Sequence, residues 1–350
     1  MRRAIPRKRT TAKVCILAVM KVSKLPARPL VRGLVRSTSI SSILFAGFMV
    51  SATAQVISVN LSAPSIDKNG YPFSPSGGGP RTSAFTFAAI GSSGFDDRDA
   101  QFFNRFQTSG LVPTGQGAAN YQILSATFTL SIFAGDGLVF DGTYDPISTF
   151  DASGNPINGD DPGRPMELYG AAYRNGITRE QVTEILAYGP TGDGTRNIYA
   201  TDFLAGASLN GTNRDVSNNI SAAFNPSPFA IGQVAPADLN PNGTVKDDAD
   251  VVFTLNLANL DVLRYLQLSL NAGTIDLVAT SLHNAEQGGA VVYPEYYTKE
   301  NLIDGLPGRL QLQVIVIPEP SAVTMLLCSF GLIVGCWRGR QALQSGGPQL

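Results

Sequence analysis

The sequence predicts a mainly β protein: a jelly-roll-like β-sandwich with one or two short helices, followed by a C-terminal transmembrane helix. Three observations carry this. Apolar and polar residues alternate over Tyr121–Phe133, with Ala126, Phe128, Leu130 and Ile132 on one side and Thr127, Thr129 and Ser131 between them. Clusters rich in Gly, Pro, Asn and Asp separate short apolar runs at residues 74–80, 151–164, 189–195 and 225–243. Charged residues make up only 15% of the chain, against about 25% in an average soluble protein.

The strands expected in order are Ala84–Ile90, Tyr121–Phe133, Met166–Tyr173, Asn197–Phe203, Val251–Leu257, Thr274–Leu282 and Leu310–Ile317. Many short strands joined by long polar loops suit a sandwich or a barrel. Two helices interrupt the series. Thr178-Arg179-Glu180-Gln181 has the form of a capping box, predicting a helix to about Ala187. The second runs from Leu260 to Ala272, with Asn259 as its N-cap, Gly273 as its stop and an apolar face of Leu263, Leu266 and Leu270.

The net charge of −1 hides a sharp asymmetry. Residues 1–54 contain eleven Lys or Arg and no acid. Residues 55–317 contain 13 bases against 26 acids, a net of −13. An acidic domain is a poor nucleic-acid binder, because phosphate neutralisation needs Lys and Arg. Cys15, Cys328 and Cys336 all lie outside residues 55–317, so that stretch has no disulfide, thiolate nucleophile or cysteine-based zinc site.

Both ends carry targeting patterns. Residues 1–54 read as a signal peptide: a basic stretch, the apolar run Ile40–Val50, then Ala52-Thr53-Ala54, an A-x-A cleavage site with Ala52 and Ala54 as the small residues. Met20 offers an alternative start. At the other end Pro318-Glu319-Pro320 precedes an uncharged run that ends at Trp337, followed by Arg338 and Arg340. The 17 residues from Ser321 to Trp337 would rise about 25 Å as a helix, close to the ~30 Å of a hydrocarbon core. Trp337 then suits the interface, and Arg338 and Arg340 the cytoplasmic side. Residues 318–340 form this tail, and 341–350 a short polar extension.

Pro-Glu-Pro, an apolar span and a basic cluster together resemble the PEP-CTERM sorting signal. The resemblance implies export and processing by an exosortase-type membrane enzyme. It further implies inner-membrane anchoring through the tail before processing, and a later cell-surface or extracellular location beside exopolysaccharide. The runs YQILSATFTLSI, MELYGAAYRNGIT, SLHN and YYTKENL are also similar to ectodomains of PEP-CTERM proteins. The resemblance specifies a destination and brings no catalytic residues with it.

The search for chemistry excludes most enzyme classes. His283 is the only histidine, and the chain has no G-x-S-x-G elbow, H-E-x-x-H pair or phosphate-binding P-loop. At the end of an expected strand, His283 reads as a structural residue. Paired carboxylates suffice for glycoside hydrolysis, and Asp96, Asp97, Asp99, Glu167, Glu180, Glu184 and Glu295 are the candidates. Residues 55–317 have no Trp, so a sugar platform would rest on Tyr293, Tyr296 and Tyr297. Asp238, Asn240 and Asn242 match the first ligand positions of a calcium loop, with Gly243 at the sharp turn, but Ala249 stands where the bidentate acid belongs and Asp248 precedes it. The plainer reading of this loop is an acidic β-turn, with no cofactor required. The expectation is a structural or binding protein without catalytic activity. The alternative is a carbohydrate-binding or carbohydrate-cleaving module.

Overall fold

The computed structural model describes residues 55–72, 81–135, 137–150, 163–190, 195–285, 292–302 and 305–317. The expected signal residues Ala52 and Ala54, the sorting residues Pro318, Glu319 and Pro320, and the anchor residues Trp337, Arg338 and Arg340 lie outside these. Among the described residues no helix is long and apolar enough to cross a membrane.

The strands in the first half of the chain are β1 (Val56–Leu61), β2 (Ile66–Gly70), β3 (Ser83–Phe85), β4 (Gln101–Gln107), β5 (Tyr121–Ala134), β6 (Phe140–Asp141) and β7 (Arg164–Tyr173). The second half supplies β8 (Ile198–Asp202), β9 (Arg214–Asp215), β10 (Ala230–Ile231), β11 (Gln233–Val234), β12 (Asp250–Thr254), β13 (Thr274–Ser281), β14 (Glu295–Tyr297) and β15 (Arg309–Val316). Helix α1 (Leu260–Ala272) joins β12 to β13. The strands form two sheets. One has the order β1-β15-β5-β12-β11, extended by β14 on β5 and β3 on β14. The other has the order β2-β4-β13-β7-β8-β9, with β6 and β10 also paired to β7. Pairing within the two principal orders is antiparallel, and the short β6–β7 pair is parallel.

The main core lies between the sheets. Phe102 and Phe106 of β4 meet Tyr296 of β14 and Phe128 of β5, with ring centroids 6.0 and 5.8 Å apart, and Phe128 stacks on Phe253 of β12 at 5.8 Å. On β5 the alternation expected from sequence holds: Ala126, Phe128, Leu130 and Ile132 are buried. Tyr121 and Ile123 are buried in the opposite phase. A register shift opposite Gln313 and Val314 absorbs the extra residue and turns Leu124 outward, as a β-bulge does.

The β2-containing sheet is covered on its second face as well. All ten residues of β7 are buried. Met166 and Leu168 face the main core, while Tyr169, Ala171 and Tyr173 enter a second cluster with Phe103, Val278, Val182 and Val216. The connections after β7 and β9 supply that outer layer, and it places charged side chains from the sheet under cover.

Helix α1 matches its expected bounds. The Asn259 side chain accepts from the Asp261 amide, and Gly273 ends the helix at φ 87°, a left-handed conformation that glycine adopts without steric cost. Its buried face includes Val262, Tyr265, Leu266 and Leu270. The Tyr265 ring packs edge-on against Phe203 and Phe229, each at 5.1 Å.

Two expectations are corrected. The capping box at Thr178 forms, but it opens a single 3-10 turn, Arg179–Gln181, and no helix follows to Ala187. The Arg179 carbonyl accepts from Arg105 Nη2 at 2.8 Å, and the Arg179 guanidinium is drawn inward to Asp276. Those bonds hold the turn against the sheet. The expected strand Ala84–Ile90 is shorter. Regular pairing ends at Phe85, and Phe87 and Ala88 make isolated bridges to Ala100 and Asn284.

Candidate functional site

Strands β3 and β14 pair antiparallel with Glu295 opposite Phe85, which brings Tyr293 level with Phe87. The Thr86 amide donates to the Pro294 carbonyl at 3.0 Å and fixes that register. Phe85 and Phe87 are two residues apart, so they share one face of the extended chain. Tyr71, just past β2, completes a group of four rings. Phe85 and Phe87 stack at 5.6 Å and 17°. Tyr71 sits 5.1 Å from Phe85, and Tyr293 sits 5.7 Å from Phe85 and 5.3 Å from Phe87. All four are half-buried, and none belongs to the buried clusters of the described residues. Polar groups rim them. Arg81 lies over the Tyr71 ring at 5.4 Å and donates to its hydroxyl, and Ser83 Oγ donates to Glu295. Burial, then the charge of Glu295, raises the Tyr293 phenol above its ordinary value, so it remains a neutral donor. The flanking residues 73–80 and 286–291 lie outside the described residues.

Of the three tyrosines singled out from sequence, only Tyr293 reaches this surface. Tyr296 is fully buried against Phe102. Tyr297 is buried, donates to Asp248 Oδ1 at 2.6 Å and meets Phe133 edge-on. The loop considered for calcium is held by internal hydrogen bonds. Asn242 Oδ1 accepts from Thr244 Oγ1 at 2.8 Å, Asn240 Nδ2 donates to Thr244 Oγ1, and the Asp238 carbonyl accepts from the Lys246 amide. Asp248 adopts φ 63° and turns to Tyr297, away from the expected ligand set.

Of the candidate carboxylates, Asp96 and Asp99 stay together, with the Asp96 amide donating to Asp99 Oδ1 at 3.2 Å, and the others are engaged separately. Asp96 binds Arg196 and Asn218, and Asp97 binds Ser221. Burial pushes Asp99 up to about 6 against the opposing charge of Arg196. Glu167 is buried against Arg98; burial raises it above the usual carboxylate range, outweighing that partner. Glu180 lies at the surface near Asn210. Glu184 meets Asp67 and Glu300, the one group of three acids close enough to share a metal among the described residues. Lys299 Nζ already pairs with all three carboxylates. Asp67 is pushed up to about 6, chiefly by burial. The ring nitrogens of His283 are buried without a hydrogen-bonding side chain, and burial, then the charge of Arg164, pushes it down to about 3. It is neutral at neutral pH.

The fold and this surface define a two-sheet β protein with a half-buried aromatic cluster beside the β3–β14 pair. Comparison of the chain with protein-family models, with curated proteins and with solved structures gives no match. Sequence reading found Tyr293 but missed Tyr71, Phe85 and Phe87. Phe85 and Phe87 fall within the alternating AFTFAAI run, and that two-residue spacing is the available signal.

Proposed function

We propose that this chain is an exported, surface-directed binding protein of jelly-roll type whose aromatic cluster receives the faces of sugar rings. The observation that carries the reading is the set of four half-buried rings, Tyr71, Phe85, Phe87 and Tyr293, grouped outside the buried clusters of the described residues. Contiguous apolar surface rimmed by polar groups marks interaction sites. Aromatic faces offer large apolar area, and tyrosine adds a hydroxyl for orientation.

The strand order supports the jelly roll. Counting β1, β4, β5, β7, β8, β12, β13 and β15 as strands one to eight, the sheets read 1-8-3-6 and 2-7-4-5. Successive strands then alternate between sheets, except that strands four and five (β7 and β8) pair within one, which is the interlocked Greek-key manner of an eight-stranded roll. The Ala52/Ala54 cleavage pattern and the Pro318-Glu319-Pro320 tail support export through an exosortase-type route, with exopolysaccharide as the glycan at the destination.

The test is retention of the purified protein on the host's exopolysaccharide, with and without a calcium chelator. Wild type is retained in both conditions, and Tyr71→Ala with Tyr293→Ala weakens binding by about tenfold or more, ~1.4 kcal/mol. Absence of wild-type retention, or retention untouched by the double substitution, overturns the sugar reading. Retention lost on chelation assigns the contact to a calcium site such as the Asp238 loop instead.

A further inference from the structure

A second feature is independent of the aromatic cluster. On the covered face of the β2-containing sheet, Lys68, Gly70, Gln101, Tyr188 and Arg196 line a small cleft floored by Phe103 and Val278. Lys68 is 6% exposed. Its Nζ makes one hydrogen bond, to the Glu184 carbonyl at 3.2 Å, and no ion pair among the described residues. An ammonium taken out of water without a carboxylate partner is costly. In a domain with twice as many acids as bases, this lysine nevertheless stands unpaired among the described residues.

The cleft's other donors are also incompletely used. The Tyr188 hydroxyl is buried and has no hydrogen-bond partner among the described residues. Burial raises its phenol well above neutral pH, so the proton is retained for donation. Arg196 spends Nε and Nη2 on Asp96 and on the carbonyls of Arg98 and Asp99, and its Nη1 makes no hydrogen bond among the described residues. Gln101, by contrast, is fully engaged with Arg98, Ser217 and Ala200. Burial, then the nearby charge of Arg81, lowers Lys68 to about 8, which leaves it mostly protonated at neutral pH. The cleft's volume of ≈ 20 Å³ exceeds the ~10–15 Å³ that one water needs, so it can admit a small guest. A cation and a phenol O–H with unused capacity around a small space suit a compact, negatively charged acceptor.

We propose that this cleft binds one small monovalent anion, a halide or a single carboxylate group, against Lys68 Nζ and the Tyr188 hydroxyl. The anion supplies the charge that Lys68 lacks and the acceptor that Tyr188 lacks. The space is too small for a nucleotide or a whole sugar ring, so a carboxylate enters by its charged end alone.

The test follows amine acylation of Lys68 on the full chain near neutral pH, mapped by mass spectrometry, in rising chloride, acetate or glucuronate. The exposed amine of Lys246, which donates to the Ala237 carbonyl, is the internal reference. A bound anion that raises the Lys68 pKa by about one unit slows its acylation about tenfold. Saturable protection of Lys68 with Lys246 unchanged upholds the site. Chloride protection assigns an inorganic ion, and stronger protection by acetate or glucuronate assigns a carboxylate. Tyr188→Phe, which keeps the ring and removes the donor, raises the half-saturating anion concentration several-fold. Lys68 acylation that ignores all three anions, or slows in parallel with Lys246, overturns the proposal, and so does an unchanged half-saturation point in Tyr188→Phe.

Discussion

Replacing Asp276 with Asn will remove the charge that holds the outer layer onto its sheet. The Asp276 carboxylate is fully buried and accepts from Arg105 Nε at 2.7 Å, Arg105 Nη2 at 2.8 Å, Arg179 Nε at 2.8 Å and the Tyr173 hydroxyl. These partners come from β4, from the turn after β7 and from β7 itself. Burial alone would raise this carboxyl; the hydrogen bonds from Arg105, then the charges of Arg179 and Arg105, outweigh it and hold it below the ordinary 3.8. Asn keeps the volume and leaves two buried guanidinium groups without a counter-charge. Breaking a buried ion pair from one side costs about 3–5 kcal/mol. Urea unfolding at neutral pH measures it, with a midpoint drop of more than about 1 M expected. Because the native value lies below the unfolded one, the contribution is complete above the unfolded value and disappears as pH falls through the native value. The difference between wild type and Asp276→Asn therefore narrows in acid. Replacing Asp276, Arg105 and Arg179 together by apolar residues recovers much of the loss. An Asn variant within about 1 kcal/mol of wild type at neutral pH refutes the reasoning.

Three further outcomes follow from the same geometry. Gly170→Ala places a Cβ 2.7 Å from the Tyr265 ring and 2.9 Å from Phe229; overpacking of this kind costs about 1–3 kcal/mol, read by thermal unfolding, and a neutral result contradicts the close approach of α1 to β7. Asp67 is raised from 3.8 to about 6, so the protonated native state is favoured and wild-type stability falls as pH rises through that window. Asp67→Asn removes the fall and gains on wild type by up to about 3 kcal/mol between acid and neutral pH; a constant difference across the window counts against the burial argument. Asn259→Ala removes the cap on the Asp261 amide and lowers stability by about 1 kcal/mol, whereas Asn259→Asp stays close to wild type.

Legibility in the sequence followed how local the cause was. Strand β5 showed because one face meets the core and the other meets solvent along most of its length. Helix α1 showed because cap, leucine spacing and terminal glycine are neighbours in sequence. Strand β4 places Phe102 and Phe106 inward and Gln101, Phe103 and Arg105 on its covered second face; Phe103 there and Asn104 on the core face break the alternation that would have marked it. The Thr178 capping box is a local motif and forms, while the docking of its turn onto the sheet through Arg105 and Asp276, distant in sequence, is not legible from neighbouring residues. The aromatic cluster was a quarter visible: Tyr293 stood out, while Tyr71 joins it only through the packing of β2 beside β3.

The sequence by itself determined the cysteine-free acidic character of residues 55–317, the β5 alternation with its Thr and Ser partners, and the limits of α1. These follow from composition and from contacts within a few residues. The tertiary structure decided the order of the sheets, the double covering of β7 and the state of the charges. Pairings such as β1 with β15 and β4 with β13 join residues far apart in the chain, and a side chain's desolvation depends on what covers it. Asp276, drawn below its ordinary value, and Asp67, pushed above it, are the same residue type; only the partners that the fold assembles around each carboxylate set their opposite directions.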